Sequence, residues 1–165
     1  MVKNDFLSEI KYAGLTSRLK RLSDVLLYST KDFYKSVGVD IEPNWHLVFL
    51  LLKEHKALNI TEISDRVQLS HPAIIKILSN MKQKGYVVAK TDDIDSRKQI
   101  LTLSAKAYDA FPLLEEYWEA CIQTMKEVLE DSPEFLTALG NIEQKFKESS
   151  YKDRTLKNLK TKKTS

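Results

Sequence analysis

The chain has 165 residues, 42% of them hydrophobic and 30% charged, with a formal net charge of +3 and a single cysteine. That balance fits one folded domain rather than a disordered chain, the apolar run from Leu47 to Leu52 is far too short to cross a bilayer, and Met1-Val2-Lys3-Asn4-Asp5 opens no secretory signal. Cys121 alone forms no intramolecular disulfide, which fits a reducing compartment, so the expected location is the cytoplasm and no membrane partner is expected.

Phe6, Ile10, Ala13, Leu19, Leu22, Leu26, Phe33 and Val37 recur at helical spacing and predict one helix of some thirty residues, stopped by Gly38. Such a helix runs about 45 Å at about 1.5 Å per residue, so part of its apolar stripe is expected to meet a second copy of the chain. After Pro43, the residues Trp45, Val48, Phe49 and Leu52 predict an amphipathic helix ending near His55-Lys56. Thr61 reads as the N-cap of a short helix with Ile63 and Val67 inward, followed by the connection Gln68-Leu69-Ser70. Ser70 suits an N-cap and Pro72, lacking an N–H, suits a first turn, so the next helix starts near residue 71. Ile74, Ile77, Leu78 and Met81 form its buried stripe, leaving His71, Ile75, Lys76, Ser79, Asn80 and Gln83 on the other side, and Gly85 ends it. Two short helices with a tight turn make a helix-turn-helix.

Beyond Gly85, Tyr86-Val87-Val88-Ala89-Lys90 and Gln99-Ile100-Leu101-Thr102-Leu103 predict two strands, with the polar residues 91–98 as a hairpin tip. A hairpin beside the second helix is a wing. Carboxylates facing phosphates would be repelled, so of Asp92, Asp93 and Asp95 the last is expected to hold Arg97 in position, letting the guanidinium and Lys98 face DNA. A guanidinium at a hairpin tip suits a narrow, electronegative minor groove. Ser104 caps a long helix with Phe111, Leu114, Trp118, Cys121, Ile122, Met125 and Val128 inward, and Pro133 opens a last one with Phe135, Leu136, Leu139, Ile142 and Phe146. Residues 151–165 hold six basic residues against Asp153, a net +5, so residues 1–150 carry −2. This tail is expected to be disordered, the alternative being an arm that adds phosphate contacts. The surface is not uniformly basic: the positive charge lies in the tail and in residues 70–99, which carry a local +3.

In Leu69-Ser70-His71-Pro72-Ala73-Ile74, Met81-Lys82-Gln83-Lys84-Gly85-Tyr86-Val87, Asp92-x-x-Asp95-x-Arg97 and Leu101-Thr102-Leu103-Ser104 the sequence resembles the MarR family of bacterial transcriptional regulators. The resemblance implies a mainly α fold with a small β-hairpin wing. In it a winged helix-turn-helix (41–103) is set between helical dimerisation regions (1–40 and 104–150) of a single domain, 1–150. It implies a homodimer that inserts one helix of each subunit into a major groove of duplex DNA and one wing into a flanking minor groove, acting as a repressor whose operator affinity a small-molecule effector shifts. DNA contacts are then expected from Ser70, His71, Pro72, Ala73, Ile75, Lys76, Asn80, Arg97 and Lys98, with Asp95 positioning the wing. Arg18, Trp45, His46 and Tyr117 are the candidates for lining an effector crevice. The residues Ser17 to Asp24, Ile41 to Trp45 and Ser70 to Ala73 are similar to a subgroup often fused to an acetyltransferase domain. Three positions depart from the family pattern: Gln68 and Ala107 stand where glycines are common, and Ile75 where a small hydroxyl residue usually faces the bases. Ile75 cannot hydrogen-bond a base edge, but it can meet a thymine methyl.

Other classes leave weaker marks. His71 sits where a helix N-terminus favours an anion, or is a solvated surface histidine. His46 and His55 face no partner at metal-ligand spacing, and no cofactor is implied. Cys121 shares an apolar stripe, where a free thiol is usually inert packing rather than a redox sensor. Gly14, Gly38, Gly85 and Gly140 are isolated, so neither a dinucleotide fingerprint nor a P-loop can be built, and the chain is not expected to be an enzyme. The alternative to an operator-binding regulator is a winged-helix module for protein or non-specific nucleic-acid binding.

Overall fold

The computed structural model describes residues 5–91 and 98–163, with side chains as far as Thr161. The expected first helix is broken into α1 (Phe6–Glu9), a 3-10 turn (Lys11–Gly14) and α2 (Leu15–Ser36). Asp5 explains the break. Its carboxylate caps α1 by accepting from Leu7 N at 3.3 Å, and it is gripped by both terminal nitrogens of Arg21 at 3.1 and 2.6 Å. Sixteen residues of uninterrupted helix would hold Asp5 and Arg21 about 24 Å apart, so the chain must double back. It does so at Gly14, where a Cβ would lie 2.1 Å from the Leu7 carbonyl oxygen.

Gly38, at φ +74°, ends the α2 region as expected, and α3 (Trp45–His55) follows. A two-residue strand β1 (Ala57–Leu58), which has no periodic signature, leads into α4 (Ile60–Val67). The cap of α4 is Asn59 and not Thr61: Asn59 Oδ1 accepts from Glu62 N at 2.9 Å while the Glu62 carboxylate accepts from Asn59 N at 2.8 Å. Both orphan donors are thereby paired, a capping box whose Asn-x-x-Glu spacing stands in the sequence. Next come α5 (His71–Gln83), the hairpin β2 (Val87–Thr91) and β3 (Gln99–Leu103), and α6 (Ala105–Val128), capped by Ser104 Oγ at 3.2 Å from Ala107 N.

The sheet is antiparallel in the order β1-β3-β2, with Val87 opposite Leu103, Thr91 opposite Gln99 and Leu58 opposite Leu101. Leu58, Val87, Leu101 and Leu103 turn into a core shared with Phe49, Leu52, Ile63, Ile74, Leu78 and Met81. Each buried side chain of this size contributes roughly 1.5–3 kcal/mol of transfer free energy. Phe49 lies edge-on to Tyr86 at 5.3 Å and to Phe111 at 5.8 Å, the ring geometry that aromatic quadrupoles favour.

The chain gathers into two units, Met1–Glu115 and Glu116–Ser165, with the division inside α6. In the second unit, α7 (Phe135–Glu148) is not the last helix. Residues 151–163, expected as a disordered tail, form α8 (Tyr151–Lys163). Local bonds explain it: Ser150 Oγ accepts from Asp153 N at 3.1 Å, Arg154 donates to the Lys145 and Ser149 carbonyls, and Tyr151 packs on Phe146. Leu19, Leu22 and Leu26 on α2, in the stripe expected in part to meet a second copy, are exposed, whereas in the second unit Ile122, Leu136, Ile142 and Phe146, expected inward, are exposed instead. Among the described residues no helix is long and apolar enough to cross a membrane.

Replacing Asn59 by Ala is expected to lower unfolding free energy by about 1 kcal/mol, whereas Thr61→Ala changes it by less than about 0.5 kcal/mol. Urea denaturation of the two variants checks the cap assignment.

Candidate nucleic-acid interface

The interface is built on α5. Its stripe Ile74, Ile77, Leu78 and Met81 is buried, and His71, Ile75, Lys76, Ser79 and Gln83 are exposed, as expected, with Pro72 exposed as well. Asn80 and Ala73 are half-buried at the margins of that outer face. Ser70 occupies the N-cap position in extended conformation, yet its hydroxyl makes no capping hydrogen bond. The expected cap is therefore positional only, and the first-turn N–H groups, which have no intrahelical carbonyl to meet, are not taken by Ser70.

The turn before α5 is held by two residues that sequence reasoning passed over or misjudged. Ser64, a buried polar residue, donates through Oγ to the Leu69 carbonyl at 2.6 Å, fixing the turn from inside. Gln68, where glycine is common, adopts the left-handed conformation at φ 55°, ψ 34°, and its amide donates back to the Asp65 carbonyl at 2.5 Å. Glycine would enter that conformation without strain. The Gln68 side chain offsets part of the cost with a local bond.

At its other end α5 closes in a Schellman arrangement: Tyr86 N donates to Met81 O and Gly85 N to Lys82 O, both at 2.9 Å, with Gly85 at φ +78°. Around this end, Ser104 Oγ donates to the Gly85 carbonyl at 2.6 Å, and Lys106 Nζ donates to the Lys84 carbonyl at 2.7 Å while lying 4.3 Å from the Tyr86 ring centre. Lys84 itself is ion-paired with Asp40. The Lys84 ammonium beside Asp40 holds that carboxyl below its ordinary value, and burial pushes the Tyr86 phenol up.

Lys98 is exposed immediately before β3. Asp92, Asp93, Asp95 and Arg97 lie outside the described residues, so the expected Asp95–Arg97 pairing does too.

Of the four effector candidates, Arg18, Trp45 and His46 fall in the first unit and Tyr117 in the second. Arg18 is exposed on α2, whereas Trp45 is a core residue, 3% exposed and edge-on to Tyr86 at 6.0 Å. His46 is half-buried with Nδ1 2.9 Å from the Pro43 carbonyl, and Tyr117 is half-buried in the second unit. A shallow groove on α2, lined among others by Thr16, Lys20, Asp24, Val25 and Tyr28, includes none of the four. Cys121 is half-buried and its thiol is pushed up by desolvation, in keeping with packing. Among the described residues no three His, Cys, Asp or Glu side chains cluster to hold a metal.

Residues 39–98, spanning α3 to the tip of the hairpin, match the model of the MarR family. No curated protein matches the chain. Solved structures share its fold. The overoxidized AbfR bound to DNA has 20% identity over 86% of this chain and 96% of its own, with a TM-score of 0.68. The transcriptional repressor CouR bound to a DNA duplex has 22% identity over 78% and 91%, with a TM-score of 0.65. A MarR protein from Peptoclostridium difficile has 16% identity over 94% and 96%, with a TM-score of 0.65.

The Asp40–Lys84 pair predicts a pH dependence. A carboxyl depressed in the folded state contributes stability above its unfolded value, ordinarily 3.8, and that contribution is lost as pH falls through the folded value. Asp40→Asn should lower the urea midpoint at neutral pH and converge with the parent protein in acid below that value.

Proposed function

We propose that the chain is a MarR-family transcriptional regulator, a binding protein rather than an enzyme, that reads an inverted repeat in duplex DNA as a homodimer in the cytoplasm. One observation carries this reading: α5 is nailed to the core by one face and turns a polar, solvent-facing surface outward, flanked by a tight turn and a hairpin. That is the form in which a recognition helix enters a major groove. The family match over 39–98 and the DNA-bound state of the AbfR and CouR structures support it.

In this reading Ser70 and His71 meet a phosphate at the α5 N-terminus, where the orphan amides and helix dipole favour an anion. Pro72, Ala73, Ile75, Lys76 and Asn80 line the major groove. Arg97 and Lys98 reach the minor groove, with Asp95 orienting Arg97. The homodimer is supported by the exposed leucines of α2 and, in the second unit, by the exposed apolar residues of α7, side chains that a second copy would cover. Twofold symmetry then sets the two reading heads about one turn of DNA apart. Repression relieved by a small-molecule effector completes the reading, through a shift between states of unequal operator affinity. Arg18, His46 and Tyr117 remain the effector candidates, with Trp45 acting through packing. Kinship with the acetyltransferase-fused subgroup rests on its short sequence similarities alone.

Selection of bound sequences from a random duplex library by the purified protein tests the reading, with an inverted repeat as the expected product. Failure to enrich any duplex overturns it. Arg97→Ala is expected to weaken operator binding by about 1–3 kcal/mol and to flatten its salt dependence. Unchanged affinity and salt slope in a titration would remove Arg97 from the interface.

A further inference from the structure

We infer that Ile75 reads the 5-methyl group of a thymine, one in each half of the operator; the inference rests on the duplex-reading function proposed above. Pro72, Ile75, Lys76 and Ser79 recur at i, i+3, i+4 and i+7 on α5, the spacing of a single helix face, turned away from the buried stripe. Ile75 is 51% exposed, and every other large aliphatic side chain of α5 is buried. It sits in the second turn, within the N-terminal half from which recognition helices supply base contacts.

The chemistry of the position selects its target. A branched hydrocarbon neither donates nor accepts a hydrogen bond. In the major groove guanine presents two acceptors, cytosine a donor and adenine one of each, whereas thymine adds a methyl group. Laid over guanine, cytosine or adenine, Ile75 would strip water from polar atoms without replacing its hydrogen bonds. Laid over thymine it covers carbon with carbon. A β-branched side chain in a helix is held largely in one χ1 rotamer, so the contact is directional rather than adaptable. Helix phase is equally fixed, by the four buried residues behind α5 and by the closure of its end at Gly85. Polar neighbours His71, Lys76 and Ser79 remain available for phosphates and hydrogen-bonding edges, so Ile75 contributes selectivity within a contact surface that others anchor.

The test uses the full chain and its selected operator, with each thymine replaced singly by deoxyuridine, which deletes only the methyl group. One position in each half-site is expected to lose about fourfold in affinity, the equivalent of one buried methyl, and about fifteenfold when both halves are changed. Ile75→Ala should bind the thymine and uracil operators alike, and Ile75→Val should keep most of the difference. Matching melting temperatures are expected for both variants because the side chain is exposed. Uracil that is silent at every position, or discrimination that survives Ile75→Ala, overturns the assignment while leaving the regulator reading intact. Failure to enrich any duplex overturns both.

Discussion

The rotation of α5 about its own axis is the constraint on which the reading head depends. Four side chains, Ile74, Ile77, Leu78 and Met81, are taken out of water on one side, and a turn of the helix by a single residue would exchange part of that set for Ile75, Ser79 and Lys82. Losing even two such burials would cost several times about 1.5 kcal/mol, a large share of the marginal stability of a small domain. The outer face is therefore presented in one phase only. Its chemistry can vary while the inner stripe keeps the helix in place.

What the sequence made legible follows from signal length. The stripe of α5, the Gly85 stop and the alternation of the hairpin each repeat over many residues, and α5, β2 and β3 fall within a residue of where periodicity puts them. Features that rest on one contact were not legible. The fold-back at Gly14 depends on Asp5 meeting Arg21, a long-range ion pair that no periodicity announces, and β1 is too short to alternate. Asn59 and Glu62 were readable as a capping box but competed with Thr61 in the same few residues. The helicity of residues 151–163 was hidden by composition, because a run of lysines says nothing about the Ser150 cap and the Arg154 bonds to preceding carbonyls.

Charge taken from the sequence also differs from charge available in the fold. Lys84 counts toward the local excess around α5 but is committed to Asp40, and Arg21 and Lys31 are committed to Asp5 and Glu42. The outward face of α5 carries Lys76 and, toward its C-terminal end, Lys82, beside the uncharged Ile75 and Ser79. In the proposed DNA complex the remaining phosphate contacts would fall to the flanks, the helix N-terminus and the hairpin. This division keeps sequence reading and backbone attraction on different elements.

Ser104 draws several of these parts through one residue. Its hydroxyl caps α6 and bonds the Gly85 carbonyl, while its backbone N–H donates to the Tyr86 carbonyl. The end of α5, the root of β2 and the root of α6 are thus tied together at one residue. Within the first unit a shift of the α6 root would therefore draw the end of α5 along with it, through bonds that all pass through Ser104.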